Sequence, residues 1–483
     1  MKDALLNVST AVVVATMPPK LASSCTAFSK DSITSLADVL RNGSRPASGH
    51  ALDGCAAHAE LQHQIHRDLK RWRDTPISEA AMRRAIDDPA FTLTVAVHDG
   101  RVHVVRKSGD PKTTRSALLR DYAHFQREFY VYLRELLELE AAGAIPLHAS
   151  AELVLAVNDE VLAHDYCAGA ACPAIGRYTT KRDRAAGTGS PEVIVPGWDY
   201  AYWNFDVRFH SLIDEYARRF PWQQRCDKLF GRYSPYATYV ARREMGSANV
   251  TTRHTRRHFV DVVGKLLGSS ADLAVSKGDG GKVAMESWAH YRYVASLNGK
   301  AVSNSIQQLL TLGSTLFIED NGYTTWFSAA LRPRVHYVPI WEAEGHPDDA
   351  VAALEWARAD EGRAAGIAAA GAAFAKTHLG PEGRRCYWHA LWKGLSKAQP
   401  YFDEAVKAGR RELVPAAEFL ADVVDRRLEG RADGAFGCHT LRCLVGTCTD
   451  TCSGSIAGWD YGDRERVRRC AVPCYVTAGR AKF

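Results

Sequence analysis

Apolar and polar positions alternate in two clear periods along the chain. Leu61, Ile65, Leu69 and Trp72 recur at helical spacing and predict an amphipathic helix over about 58–73. FTLTVAVHDGRVHVVRK reads differently: two alternating runs rich in Val and Thr flank His98-Asp99-Gly100, which predicts a β-hairpin. Leu118, Leu119, Tyr122, Phe125, Phe129, Leu133 and Leu136 then mark a helix over about 114–142, and ELVLAVNDE after Pro146 reads as a buried strand with a polar end. Further on, SNSIQQLLTL predicts a Ser-capped helix starting near Ser303, with an Ile306, Leu309, Leu310 stripe and a stop at Gly313; STLFIE follows as a buried strand. That order is half of a βαβ unit. A single long helix is expected over 348–379, favoured by Asp348-Asp349 at its start and ended by Gly380-Pro381. Another should run from Arg385 to about Ala405, and a last one over 415–429.

Strand ends of this kind carry chemistry, because open α/β sheets bind ligands outside the carboxyl ends of their strands. Asp159 at the end of the earlier strand, and Glu319 and Asp320 at the end of STLFIE, therefore stand where side chains enter a cleft, although any doubly wound domain would show the pattern. A carboxylate capping a turn is the plainer role for Asp159. His66-Arg67-Asp68-Leu69-Lys70 copies the start of a protein-kinase catalytic loop, but the kinase Asn, glycine-rich loop and Asp-Phe-Gly are missing.

Composition narrows the setting. The chain has 483 residues, 46% hydrophobic and 24% charged, room for two or three domains. Its 61 basic and 55 acidic residues leave a net charge of +6 spread without a single-sign block, which argues against a nucleic-acid partner and is compatible with an anionic small ligand. No run approaches the roughly eighteen uninterrupted apolar residues of a membrane span. Six of the twelve cysteines crowd the end, at Cys438, Cys443, Cys448, Cys452, Cys470 and Cys474. Their gaps lack the paired two-residue spacing of zinc sites, so a disulfide-rich tail in an oxidising compartment is expected. Sequons at Asn7, Asn42 and Asn249 agree. The amino terminus is a weak signal: one early Lys precedes an apolar run broken by Asn7, Ser9 and Thr10.

An ordered series of motifs is more specific. YRYVASLNG, LLTLGSTLFIED, Trp326-Phe327, Leu331-Arg332-Pro333, HYVPI and Arg385-Cys386-Tyr387-Trp388 resemble the nucleotide-sugar half of a eukaryotic glycosyltransferase family. That family holds the protein O-glucosyltransferases of the Rumi and KDEL-motif type and the fungal capsule-associated xylosyltransferases. Val154 to Asp159, Pro173-Ala174-Ile175 and Pro196 to Trp203 resemble its earlier strands and acceptor-side loop, with Asn158-Asp159-Glu160 in place of the usual Arg-Asp-Tyr.

The resemblance covers about 60–410 and implies an α/β fold of GT-B type, two facing Rossmann-like domains with a Cys-rich carboxyl-terminal extension. The expected divisions are 1–55 as leader and linker, 56–215 as the acceptor and base domain, 216–410 as the nucleotide-sugar domain with a helix crossing back, and 411–483 as helix plus tail. It implies an inverting transfer of glucose or xylose from a UDP-sugar to a protein or glycan hydroxyl in the lumen of the endoplasmic reticulum or Golgi, without a metal or other cofactor. By residue, it makes Asp159 the base. Arg232, with Arg242 and Arg243 as substitutes, Lys300 and the N–H groups near Gly299, Ser303 and Ser305 would hold the diphosphate. Glu319 or Asp320 would take the ribose or sugar, and Trp198, Tyr200 and Trp203 would line the acceptor side. Ser303-Asn304-Ser305 stands where the family carries a basic residue, so a weakened enzyme acting as a glycan- or protein-binding module is the alternative.

Overall fold

The computed structural model describes residues 54–88, 93–106, 126–157, 167, 172–181, 192–203, 205–236, 238–240, 251–253, 255–276, 283–320, 322–341 and 349–419. Asp159, Arg242, Arg243, the six-cysteine tail, residues 1–53 of the expected leader and residues 420–429 of the helix expected over 415–429 lie outside them.

The described chain begins with a helical run whose centre is α1 (Gln62–Leu69). Leu61, Ile65 and Trp72 are buried on its inner side, as their spacing predicts. Asp68 joins them: it accepts the Ile194 N–H at 2.9 Å and the Gln64 amide at 2.7 Å. After α2 (Glu79–Asp87) come β1 (Leu93–His98) and β2 (Arg101–Val105). They pair antiparallel with His98 opposite Arg101. The two-residue turn has positive φ at Asp99 and Gly100, a geometry that suits right-twisted strands and that this pair tolerates at little steric expense. Helix α3 (Gln126–Ala141) leads to β3 (Ala151–Leu155), β4 (Ile175–Arg177), β5 (Thr180–Lys181), β6 (Glu192–Ile194) and the short α4 (Asp199–Tyr202).

A second sheet follows: β7 (Cys226–Tyr233), the small ribbon β8 (Thr238–Val240) and β9 (Thr251–Arg253), β10 (Ala271–Val275) and β11 (Tyr291–Ser296). Then come α5 (Ile306–Thr311), β12 (Thr315–Glu319), β13 (Tyr323–Thr324) and β14 (Val338–Ile340). Its strands are parallel in the order β10-β7-β11-β12-β14, so the direction of winding reverses between β7 and β11. Successive side chains feed opposite faces. Val294, Leu316 and Ile318 enter one core, while Tyr293, Ala295 and Phe317 enter another. A sheet covered on both sides reads as a continuous apolar run, which is what STLFIE is.

The long carboxyl-terminal helix expected from 348 is two: α6 (Asp349–Arg358) and α7 (Glu361–His378). Asp360 interrupts it and caps α7, its side chain accepting the Arg363 N–H at 2.9 Å. The next helix also starts earlier and ends sooner than its pattern suggests. Pro381, at the first position of α8 (Pro381–Ala398), is preorganised for a helix start, and the chain breaks at Gln399-Pro400 before α9 (Phe402–Lys407). Helix α8 lies on α1 and β3. At Gly394 a Cβ would meet Leu69 Cδ1 at 2.4 Å, so a larger residue there would push the Leu69 side chain aside. A disulfide, Cys55–Cys386, joins the same surfaces across 331 residues of sequence.

Beyond α9, β15 (Leu413–Pro415) returns to the edge of the first sheet, whose order is β15-β2-β1-β3-β4-β6. Its return is locked by a buried ion pair, Arg411 to Glu152 on β3, with Tyr401 also donating to Glu152. The two sheets meet through β5 and β13, which pair antiparallel with Thr180 opposite Thr324. Parallel-strand sheets and flanking helices make the molecule α/β.

Candidate functional site

At the carboxyl edge of the second sheet, β11 is followed by Leu297-Asn298, and β12 ends at Glu319 with Asp320 next. Asn298 organises the loop between β11 and α5. Its N–H donates to the Glu319 carboxylate at 2.7 Å, and its own Oδ1 accepts the Ser303 N–H at 2.8 Å. From the other side, Arg256 donates to the carbonyls of Asn298, Leu297 and Ser234 at 2.9, 2.9 and 3.2 Å, so one guanidinium closes the ends of β11 and β7 at the point where the winding reverses. Burial pulls the Arg256 pKa down, and Glu319 opposes that pull.

A cavity of about 280 Å³ opens beside this edge, lined among others by Asn298, Glu319, Asp320, Thr324, Tyr337 and, from α1 of the first half, Arg67. Ile306, Ile318 and Phe327 supply apolar wall. Thr324 is tied to the first half twice over. Its carbonyl accepts from Thr179 Oγ1 at 3.0 Å, and its hydroxyl donates to the Thr180 carbonyl at 3.3 Å. Acceptors, donors and apolar wall drawn from both halves can hold a polar ligand that carries hydroxyls and an anionic group.

The sequence candidates divide. Glu319 and Asp320 line the cavity, and Gly299, Ser303 and Ser305 belong to the loop and helix start beside it. The Ser303 N–H is given to Asn298, however, and the two serine hydroxyls bond each other at 2.8 Å. Ser305 makes no side-chain cap on α5, so the expected Ser cap is replaced by this pair. Lys300 is exposed. Arg232 faces elsewhere: its fork donates to the Asp272 carboxylate at 2.6 Å and the Asp272 carbonyl at 2.7 Å, over the Phe230 ring at 4.3 Å. Among the acceptor-side aromatics, Tyr200 is buried beneath the Arg384 guanidinium at 4.5 Å and against Trp326 at 6.1 Å. Trp198, edge-on to Tyr178 at 6.0 Å, and Trp203, whose N–H donates to the Asp199 carbonyl, are half-buried.

Sequence reasoning passed over Asn298, Arg256 and Arg67. Asn298 lies inside a quoted motif, Arg256 outside all of them, and Arg67 inside the kinase-like stretch. Asp199, a neighbour of Trp198 and Tyr200, is buried and accepts from the Gln307 amide of α5. Burial is the main cause that pushes its carboxyl up to about 7, with Arg384 opposing. The first sheet presents its parallel ends to the same region: β3, β4 and β6 run alongside one another, and β4 leads into β5 and so to β13. Val157 is the last described residue after β3.

Comparison with known proteins places this arrangement. A stretch of 109 residues is 31% identical to protein O-glucosyltransferase 2 of Danio rerio, covering 23% of this chain and 21% of that protein. Another of 125 residues is 27% identical to protein O-glucosyltransferase 1 of Homo sapiens, covering 26% and 31%. One of 123 residues is 29% identical to O-glucosyltransferase rumi of Drosophila pseudoobscura pseudoobscura, covering 25% and 29%. The matched stretches thus span a fifth to a third of these relatives. Far wider is the match to the model of glycosyl transferase family 90, over residues 54–429. The reach of that match, through both sheets and every wall of the cavity, shows that the chain belongs to glycosyl transferase family 90.

Proposed function

We propose that the protein transfers glucose or xylose from a UDP-sugar to a hydroxyl of a protein or glycan, with inversion at the anomeric carbon and without a metal. The observation that carries this reading is the cavity wall: hydroxyl-accepting Glu319 and Asp320 at the carboxyl edge of a parallel sheet, facing the first half inside the family-matched span. The protein O-glucosyltransferases among the chain's relatives support a protein acceptor. The two sheets are read as the facing domains of a GT-B enzyme, 56–215 on the acceptor side and 216–410 on the donor side.

Transfer of this kind needs a base for the acceptor proton and donors for the charge on departing UDP. Asp159 is assigned as the base, two residues beyond Val157 in sequence. Glu319 or Asp320 takes ribose or sugar hydroxyls. The disulfides Cys55–Cys386 and Cys167–Cys172 support a secretory-pathway lumen as the compartment.

The decisive measurement is UDP-sugar hydrolysis and transfer by wild type and Asp159→Asn. The expected result is loss of turnover with UDP affinity retained; equal turnover in both proteins sinks the assignment. A non-catalytic binding module is the second reading, favoured by the Ser303 and Ser305 hydroxyl pair at the position where the family carries a cation. It predicts no turnover in either protein.

A further inference from the structure

An anionic diphosphate in this cavity would meet two carboxylates, Glu319 and Asp320, and needs a cation to offset them. Among the described residues, neither Arg232 nor Lys300, the cations named from sequence, lines the cavity. Arg232 is paired with Asp272, and the Ser303 N–H is held by Asn298. Arg256 lies behind the wall with three of its N–H groups on backbone carbonyls. Of the described residues that line the cavity, Arg67 is the one cation. It is exposed, and it makes no hydrogen bond or ion pair among the described residues.

Its backbone is nevertheless held firmly. Asp68, the next residue, anchors α1 to β6 through the Ile194 N–H. Leu61 and Ile65 are buried on the opposite side, and α8 closes on Leu69 at Gly394. A guanidinium on a fixed helix, with its planar fork unpaired among the described residues, is suited to bidentate contact with phosphate oxygens.

We propose that Arg67, carried by the first half, is the donor-binding residue that meets the phosphates of the nucleotide sugar and offsets charge on the leaving group. This rests on the UDP-sugar reading above. The ligand then bridges the halves, with hydroxyls on the Glu319 side and phosphates on the Arg67 side.

Calorimetric titration of UDP and of uridine into wild type, Arg67→Gln and Arg67→Lys tests it. UDP should bind Arg67→Gln about tenfold or more weakly, and Arg67→Lys by an intermediate factor, because lysine keeps the charge without the fork. Uridine affinity and the unfolding midpoint should stay unchanged. Equal UDP affinity in all three proteins, or equal weakening of UDP and uridine, overturns the assignment. If UDP and uridine both fail to bind wild type, the donor reading itself falls, and the Arg67 role with it.

Discussion

Glu152 and Glu319 are both buried carboxylates on central strands, yet they belong to opposite kinds of polar cluster. Around Glu152 every arm ends on protein: Arg411 and Tyr401 donate to its carboxylate, and Gln399 exchanges hydrogen bonds with its backbone N–H and carbonyl. Glu319 accepts the Asn298 N–H but also faces a cavity. The first cluster closes the edge of a sheet and fastens the returning chain; the second shapes one wall of a cavity. Burial alone does not tell the two apart. What lies on the far side of the carboxylate does.

The distinction can be broken most directly at Arg411. Arg411→Met leaves Glu152 buried without its cation and should cost about 3–5 kcal/mol in denaturant unfolding while leaving UDP affinity unchanged. A loss below about 1 kcal/mol would show that the closed cluster is not the fastener described.

Asp199 tests the intermediate case, a buried carboxylate that joins α4 to α5. Its pKa is raised from 3.8 to about 7, chiefly by burial, so the folded chain holds this proton more tightly than the unfolded one. The stabilisation is therefore complete below about pH 3.8 and is lost as pH climbs to about 7. Asp199→Asn, which keeps an acceptor for Gln307, should flatten the pH dependence of unfolding by about 1.4 kcal/mol per pH unit across that window. Parallel curves for the two proteins would contradict it.

On the open side, Glu319→Gln keeps an acceptor for the Asn298 N–H but removes the charge offered to ligand hydroxyls. UDP-sugar affinity should drop about tenfold, near 1.4 kcal/mol, with little change in melting temperature. The reverse pattern, lost stability and intact affinity, would move Glu319 into the closed class. The smallest effect is expected at Thr179→Val, which removes one hydrogen bond between the halves, at about 1 kcal/mol in unfolding.

Much of the fold was legible because it depends on local spacing. The hairpin followed from alternation around Asp99-Gly100, and α1 from four apolar positions at helical intervals. The strand β12 followed from an uninterrupted apolar run. Errors fell where a single polar residue settled the outcome. Asp360 splits the helix expected over 348–379 by capping a new one, and the serines before α5 bond each other instead of capping it. Of the site, Glu319 and Asp320 were readable as strand-end carboxylates. Arg67 was not, because nothing near it in sequence shows that α1 borders a cavity whose other walls lie more than two hundred residues away.

The amino-acid sequence by itself determined the elements, the parallel character of the second sheet and the family, since each rests on short-range periodicity or on motifs kept in order. Only the tertiary structure decided which charged groups are already satisfied. Arg232 finds Asp272, Arg256 finds three carbonyls and Glu152 finds Arg411, while Arg67 and Glu319, far apart in the chain, come to line the same cavity. Hydrogen bonds act over about 3 Å, and such distances between residues far apart in the chain exist only once the sheets have met.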